Sequence, residues 1–381
     1  MNPDLQYDYI IAGAGCAGLS LAMHLMHSGE FSQKKILLVD ADAKKSNDRT
    51  WCFWQAGEGI FEPIVYRQWQ KLWFHGPGYE DLLNISPYRY KMIRGIDFYE
   101  HCLERLGHHP NFSFSRKRVD SVFSNDAGTG VMIEGQPVYS QYVFNSILFD
   151  RPVLTARQYW LLQHFKGWII ETEEDRFDEG SATLMDFRIS QEHGTAFCYV
   201  LPFSSRLALV EYTLFSRQQL TPAQYDEGLR SYVADVLKLQ QYRIADEEAG
   251  VIPMTNFPFS PGHNNLVNIG TAGGQTKGSS GYTFNFIQKH SEALVKKLSK
   301  GKHPLLNYAD RRFAFYDSVL LNILHHDTLP GRDVFTRLFK NNKAGRVLKF
   351  LHNETSLVED LSIITSLPTW PFMKAAVRQL V

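Results

Sequence analysis

Gly13, Gly15 and Gly18 stand in the order G-x-G-x-x-G directly after the apolar run Tyr7 to Ala12, and Asp40 closes a second apolar run, Ile36 to Val39. Residues of these types at this spacing can hold an adenine dinucleotide. The first glycine permits a tight turn and the second lets backbone approach a pyrophosphate. The third lets a helix pack closely on a strand, and an acidic residue about 20 positions further on accepts hydrogen bonds from ribose hydroxyls. Ala17 and Ala41, beside the third glycine and the aspartate, belong to the same expected cradle. NAD and FAD both use this fingerprint. A second glycine-rich segment, IGTAGGQTKGSSGYTF from Ile269 to Phe284, favours FAD, because such a segment recurs in flavoproteins over the flavin end. Gly270, Gly273 and Gly281 are its expected cofactor contacts.

Carboxylates supply the second kind of chemistry. Glu211 interrupts the apolar run Leu207 to Val210, where an ionised group carries a desolvation cost. Burial there would favour the neutral carboxyl and make it a proton donor near neutral pH. Strand alternation offers the other outcome, a glutamate turned to water on a half-buried strand. Asp186 also follows an apolar pair, Leu184 and Met185, and either faces the same site or does not. Glu171 lies in GWIIETEED, whose Glu173, Glu174 and Asp175 read as a solvated turn, and Glu171 itself remains a candidate. Arg94, just before an expected helix, is placed either against the flavin or on the surface. His75, His263, His325 and His326 have no metal-ligand spacing, so no metal is expected. With no G-x-S-x-G, P-loop or zinc motif, hydrolase and kinase chemistry find no support.

These groups need elements to hold them. YDYIIAGAGCAGLSLAMHLMHSG reads as strand, turn and helix, with Leu19, Met23 and Met26 on one helical face, and KKILLVDAD as a buried parallel strand. Together they predict a βαβ unit. Residues 52 to 92, rich in aromatics, Gly and Pro, suit loops and short strands lining a pocket. A helix is expected over Asp97 to Leu106, strands near 117–123, 131–133 and 138–144, a strand-rich block over 184–214, and a helix over 222–241. Helices are expected to dominate from Leu305 onward.

At 381 residues the chain is long enough for two lobes and a helical annex. Lys+Arg and Asp+Glu both number 40, so no global field draws it to nucleic acid, and none is expected as a partner. Cys16, Cys52, Cys102 and Cys198 are scattered without a CxxC pair, as free cytosolic thiols would be. Neither a secretory leader nor an apolar run of about 18 residues occurs, so any bilayer contact is expected to be peripheral.

Several further segments, in order along nearly the whole chain, resemble the lycopene cyclases of the bacterial β-cyclase type. They are NDRTWCFW from Asn47 to Trp54, the acidic stretch and M-D of Ile169 to Arg188, and YVLPFSSRLALVEYT from Tyr199 to Thr213. NIGTAGGQTKGSSGY and the tail TSLVEDLSIITSLPTWPFMKAAV complete the set. The resemblance implies an α/β fold of the Rossmann-type, FAD-binding aromatic hydroxylase kind, with a sheet-based substrate lobe and a C-terminal helical region. The expected division is 1–155 with 251–300 for FAD, 156–250 for substrate and 301–381 for the helices. It implies FAD that works reduced without being consumed, NADPH or NADH as reductant, and lycopene or a related acyclic carotenoid as substrate. Glu211 occupies the glutamate of the family motif and is the expected catalytic acid, with Asp186 and Glu171 as further candidates; whether the carboxyl or the flavin gives the proton stays open. It further implies a cytoplasmic enzyme held at the inner face of the membrane, with other carotenoid-pathway enzymes as possible neighbours.

Three positions depart from the family pattern. Lys277 and Gly278 replace a His-Pro, Asn145 stands where an acidic residue is usual, and Tyr212 replaces the acidic residue after the motif glutamate, so a paired carboxylate is not expected there. For membrane contact, Arg332 to Leu351 interleaves Val334, Phe335, Leu338 and Phe339 with basic residues, as a helix lying on an anionic surface would, or as one packed on the protein. Rival functions on the same fold are a flavin monooxygenase or polyprenyl reductase, and a non-catalytic flavin-bearing carotenoid carrier.

Overall fold

The computed structural model describes residues 5–306 and 310–380, so four positions of the expected helical region, 307–309 and 381, lie outside it. The chain opens with β1 (Tyr7–Ala12), α1 (Cys16–Ser28) and β2 (Ile36–Val39), the expected βαβ unit. Gly29 ends α1 in the left-handed region at φ 70°, where a side chain would be strained. Next come β3 (Thr50–Gln55), β4 (Arg67–Trp69), β5 (Lys71–Gly76), β6 (Tyr79–Asn84), β7 (Arg89–Arg94) and α2 (Gly95–Gly107). They are followed by β8 (Phe112–Ser115), β9 (Val119–Asn125), β10 (Gly128–Ile133) and β11 (Gln136–Asn145). The rest of the strands are β12 (Trp160–Glu171), β13 (Ala182–Asp186), β14 (Thr195–Pro202), β15 (Leu207–Ser216), β16 (Arg243–Thr255), β17 (Gly262–His263) and β18 (Leu266–Asn268). The helices α3 (Pro222–Asp235) and α4 (Phe284–Leu298) precede a terminal group: α5 (Arg311–His325), α6 (Gly331–Asn341), α7 (Ala344–Leu351), α8 (Leu357–Thr365) and α9 (Thr369–Leu380).

The first sheet runs β17-β18-β11-β1-β2-β8, with β9 and β10 attached through β11. β1 lies parallel between β11 and β2, and its Ile10, Ile11 and Ala12 are fully buried, which explains the unbroken apolar run. One face packs on α1, α2 and α4; the other closes on β9 and β10 through Val119, Val131 and Ile133.

The second sheet runs β16-β12-β15-β14-β13-β5-β6. Its strands come from inside the span expected for the cofactor lobe as well, because β5 pairs in parallel with β13. The two lobes are therefore interleaved in sequence at residues 71–84. β14 is buried along its whole length because both faces are covered. Ala196, Cys198 and Val200 pack on α3, while Phe197, Tyr199 and Leu201 face the opposite layer with Leu321, Phe335 and Leu348 of the terminal helices. α3 starts at a capping box, Thr221 with Gln224, and ends at Asp235, six residues short of the expected bound.

The stretch from Arg332 to Leu351 is two helices packed on the protein, not one lying on a surface. Val334, Phe335, Leu338 and Phe339 are each at most 6% exposed, and Phe339 packs at a tilt against Phe74 of β5 with centroids 4.7 Å apart. Among the described residues no helix is long and apolar enough to cross a membrane.

Candidate active site

Backbone geometry at the first glycines fits their expected roles. Gly13 has φ +92°, and a Cβ on Gly18 would lie 1.9 Å from the Gly13 carbonyl oxygen, so α1 can approach β1 this closely only without a side chain. A Cβ on Gly15 would meet nothing within 4 Å, leaving the backbone open to a ligand at the N-terminus of α1, whose first turn carries no acid. Asp40 accepts a hydrogen bond from the Ala14 N–H at 2.7 Å and one from Asp42 N–H at 2.8 Å, which fixes its carboxylate beside the turn. Ala17 packs against Gly270, where an added Cβ would come within 2.7 Å of the Ala17 methyl. Ala41 is exposed in the turn after Asp40.

A cavity of about 370 Å³ runs from this turn into the second sheet. Gly15, Ala17, Gly270 and Thr271 line one part of it, and Gln163, Tyr199, Glu211 and Tyr282 another. Gly281, at φ +71°, lies so close to Gln163 that a Cβ would fall 2.0 Å from the amide oxygen. Gly273 does not line the cavity; it packs on the Asn268 carbonyl, 2.3 Å from where a Cβ would stand. Arg94 is likewise away from it, ion-paired with Asp97 at 2.6 Å and stacked over Tyr66, while Arg49 reaches the lining instead.

The carboxylates separate by strand parity. Glu211 on β15 shares its face with Leu209 and points into the cavity. In register across four strands stand Tyr199 on β14, Glu211 on β15, Gly167 on β12 and Glu248 on β16. Gly167 has no side chain to fill the middle of this row. A Cβ there would sit 3.2 Å from Glu248 Cγ and 3.5 Å from Glu211 Cβ, so the two glutamates lean over the glycine and their carboxyls hydrogen-bond to each other. The Thr213 hydroxyl donates to Glu211 Oε1 at 2.7 Å, and the Thr50 hydroxyl to Glu248 Oε2 at 2.6 Å. Glu248 Oε1 is buried and receives no hydrogen bond from a hydroxyl or N–H group.

Burial holds Glu211 well above the ordinary carboxyl range, and the charge of Glu248 adds to the effect. Glu248 is itself pushed up to about 7 by burial, against the hydrogen bonds from Thr50 and Glu211. The pair therefore keeps a proton near neutral pH. Around it burial raises the Tyr199, Tyr282 and Cys52 protons, so these groups stay neutral. Tyr199 and Tyr282 hydrogen-bond to each other, and Trp54 meets Tyr282 edge-on at 4.5 Å. A carboxyl pair beside electron-rich rings can give a proton to an apolar ligand, shelter the resulting cation and take a proton back.

Asp186 lies on the other face. It is fully buried and held by Arg188 at 2.7 Å and by the Tyr232 hydroxyl of α3 at 2.9 Å, so it ties the helix to the sheet and does not reach the cavity. Glu171 stands at the far end of β12, four residues beyond Gly167, paired with Arg243 at the surface. Glu248 and Gly167 escape a reading of local sequence. A signal existed: on a strand over 243–255, Glu248 shares parity with Gly250, Ile252 and Met254, an apolar set.

The two departures in the second glycine segment and at the end of β11 are accommodated locally. Lys277 is buried, its ammonium donating to Asp317 at 2.7 Å and to Asn353 at 2.8 Å, which anchors the glycine segment to the terminal helices. Asn145 donates to the Ile147 carbonyl and to Asn268.

This sheet and glycine arrangement defines a Rossmann-type fold of the FAD-dependent monooxygenase, halogenase and reductase kind. A flavoprotein/dehydrogenase from Cytophaga hutchinsonii superposes with TM-score 0.63 at 12% identity, covering 98% of this chain and 99% of the other. A geranylgeranyl bacteriochlorophyll reductase-like protein from Thermoplasma acidophilum does so with TM-score 0.59 at 12% identity, covering 98% and 96%. Within that fold the chain belongs to the lycopene cyclase family, whose model, described as lycopene cyclase protein, matches residues 8–377. A lycopene beta-cyclase of Pseudescherichia vulneris is 26% identical over 265 residues, 65% of this chain, and the match spans 62% of that relative's length.

The residues present fit FAD. Besides the open backbone at Gly15, the Gln163 amide oxygen in the cavity lining is buried without a partner within the protein. Gly13, Gly15 and the start of α1 would hold the pyrophosphate and Asp40 the ribose, with Gly270 and Gly281 beside the flavin end.

Proposed function

We propose that the protein is a lycopene cyclase, which closes β-ionone rings on the linear ends of lycopene to give β-carotene by way of γ-carotene, with no net redox change. The observation that carries this reading is Glu211, paired with the buried Glu248, in the lining of a cavity that also reaches the glycine cradle. Glu211 gives its proton to the terminal alkene, forming a C–H bond and leaving a tertiary cation. The internal double bond attacks that cation, the ring C–C bond forms, and the positive charge moves into the ring. Loss of a ring proton to the carboxylate pair forms the new double bond and restores the starting protonation. Substrate and product are isomers, so atoms and electrons balance. Tyr199 and Tyr282 face the cation with neutral rings, and Leu201 and Leu209 keep water from capturing it. FAD held by Gly13, Gly15, Asp40, Gly270 and Gly281 and reduced by NADPH or NADH would supply an electron-rich ring system that favours positive charge nearby. Arg94 and Ala41 have no part in this arrangement.

The test is expression in lycopene-accumulating cells with analysis of the pigments, alongside turnover in vitro. We expect cyclic product isomeric with lycopene and no continuing use of NADPH or oxygen. Oxygen and NADPH consumed at every turnover would replace this reading by a monooxygenase or reductase. Bound but unchanged lycopene on flavin-loaded protein would replace it by a carrier. A substrate of this kind has essentially no aqueous concentration, so the reading includes a cytoplasmic enzyme working peripherally at a membrane surface, in reach of other carotenoid-pathway enzymes.

A further inference from the structure

Fourteen large apolar side chains are exposed among the described residues, and seven of them fall on α8 and α9: Leu357, Val358, Leu361, Trp370, Met373, Val377 and Leu380. Both helices use their inner faces on α5. α9 packs Phe372, Ala375 and Ala376 against Val319 and Ile323. α8 buries Asp360, which pairs with Arg312 at 3.1 Å and accepts from the Tyr316 hydroxyl. Their outer faces meet nothing in the protein. On α9 the outward positions are Trp370, Met373, Lys374, Val377 and Arg378, spaced as one helical face. Trp370 is 75% exposed. A tryptophan, aliphatic side chains and two cations one turn apart form the pattern of a helix lying in a lipid headgroup region.

We infer that the outer face of α8 and α9 is the surface by which this protein docks on an anionic bilayer, an inference that rests on the proposed hydrocarbon substrate for its choice of partner. Charge supports it. On α8 the charge of Glu359 is offset by Lys349 at 2.8 Å, and from Leu361 to Leu380 the charged residues are Lys374 and Arg378, with no acid between, so the face complements anionic headgroups. A symmetric contact with a second copy would instead bring the same cations of both copies into one interface. Position supports it too. Gln379 near the end of α9 donates to the Tyr159 hydroxyl at 3.0 Å, and Tyr159 leads directly into β12, whose Gln163 lines the cavity. α9 is thus tied by a hydrogen bond to the base of a strand that walls the active cavity.

The experiment is flotation of the full chain, loaded with FAD, with vesicles of phosphatidylcholine with and without phosphatidylglycerol. Each sample is also assayed on detergent-dispersed lycopene. Wild type should float with the anionic vesicles. W370S/M373S/V377S should bind them at least about tenfold more weakly, and K374E/R378E should lose the preference for phosphatidylglycerol by a similar factor. Both variants should cyclise dispersed lycopene as wild type does. Wild type that stays with neither vesicle, or a triple variant that floats unchanged, overturns the docking surface. A triple variant that turns a dimer into a monomer with vesicle binding unaltered overturns it in favour of self-association. Wild type that floats as expected yet leaves dispersed lycopene unchanged upholds the surface and sinks the cyclase reading alone.

Discussion

Glu211 and Glu248 touch across a strand that lies between theirs, because the residue of that strand in register with both is Gly167. Three consecutive strands of a twisted sheet would ordinarily hold side chains two strands apart about 9–10 Å from one another. The missing side chain lets two carboxyls meet in a buried place, where neither can ionise freely while the other is charged.

Removing either carboxyl should therefore stop proton transfer without disturbing the cofactor cradle. Glu211→Gln and Glu248→Gln are each expected to lower cyclisation by roughly a hundredfold to ten-thousandfold, with FAD content per protein unchanged. Turnover on dispersed lycopene and the flavin absorbance of the purified variants check this. Full activity in Glu211→Gln would remove it from the role of acid.

The same pair should be visible in stability. Its carboxyls have raised pKa values when folded, so the unfolded chain releases their protons at lower pH. The stabilisation is fully present below about 4.5 and is lost as pH rises; for Glu248 the loss is complete just above about 7. Glu211, held higher still, extends the loss to more alkaline pH. Relative to wild type, Glu248→Gln should gain stability between pH 5 and pH 8, by on the order of 3 kcal/mol at most. Chemical denaturation at the two pH values measures the gain, and parallel curves would show that Glu248 titrates normally.

The cradle allows a test free of catalysis. Asp40→Leu keeps the size of the side chain and removes the carboxylate beside the glycine turn that would accept from the ribose hydroxyls. FAD affinity should fall by about tenfold or more, since hydrogen bonds to a charged acceptor are worth roughly 1.5–3 kcal/mol. Fluorescence titration of apoprotein reads it directly, and unchanged affinity would mean the dinucleotide lies elsewhere.

How much of this was legible in the sequence follows from how local each feature is. The cradle of Gly13, Gly15, Gly18 and Asp40 sits within one βαβ unit, so period and spacing reveal it. Glu211 stood out because it breaks an apolar run. Its partner did not, because Glu248 belongs to a strand far along the chain, and the register through Gly167 is a tertiary fact. Asp186 and Glu211 looked alike, each after apolar residues, and only the placement of α3 decides that Asp186 faces away from the cavity. The helices α6 and α9 carry the same amphipathic pattern. The apolar face of α6 is covered by Phe74 and its neighbours, whereas α9 packs one face on α5 and leaves Trp370, Met373 and Val377 exposed, a difference no periodicity records.

That contrast between carboxylates is testable. Asp186→Asn should cost about 1–3 kcal/mol, because it weakens a buried charge pair and the bond to Tyr232, while leaving the pH profile of turnover in place. Glu171→Gln should change neither, its ion pair with Arg243 being at the surface. Denaturation curves and pH–rate profiles separate the two. A shifted profile in Asp186→Asn would bring that residue back to the chemistry.

Gly167 offers the sharpest test of the pair, since it can be filled without touching either acid. A methyl there would stand 2.8 Å from Leu209 Cδ1 and 3.2 Å from Glu248 Cγ, pressing on the Glu248 stem, with Glu211 Cβ in ordinary contact at 3.5 Å. Leu209 can give way, so Gly167→Ala should fold, at a cost of roughly 1–3 kcal/mol for overpacking. The carboxyls would be forced apart, and cyclisation should fall nearly as far as in Glu248→Gln. If the glycine acts only by letting the pair meet, the losses do not add: Gly167→Ala/Glu248→Gln should be about as active as Glu248→Gln alone, because the contact is already gone. Multiplied losses in the double variant would show that Gly167 serves something other than the meeting of Glu211 and Glu248, such as room for the substrate, and the shared-proton account of the acid would fall with it.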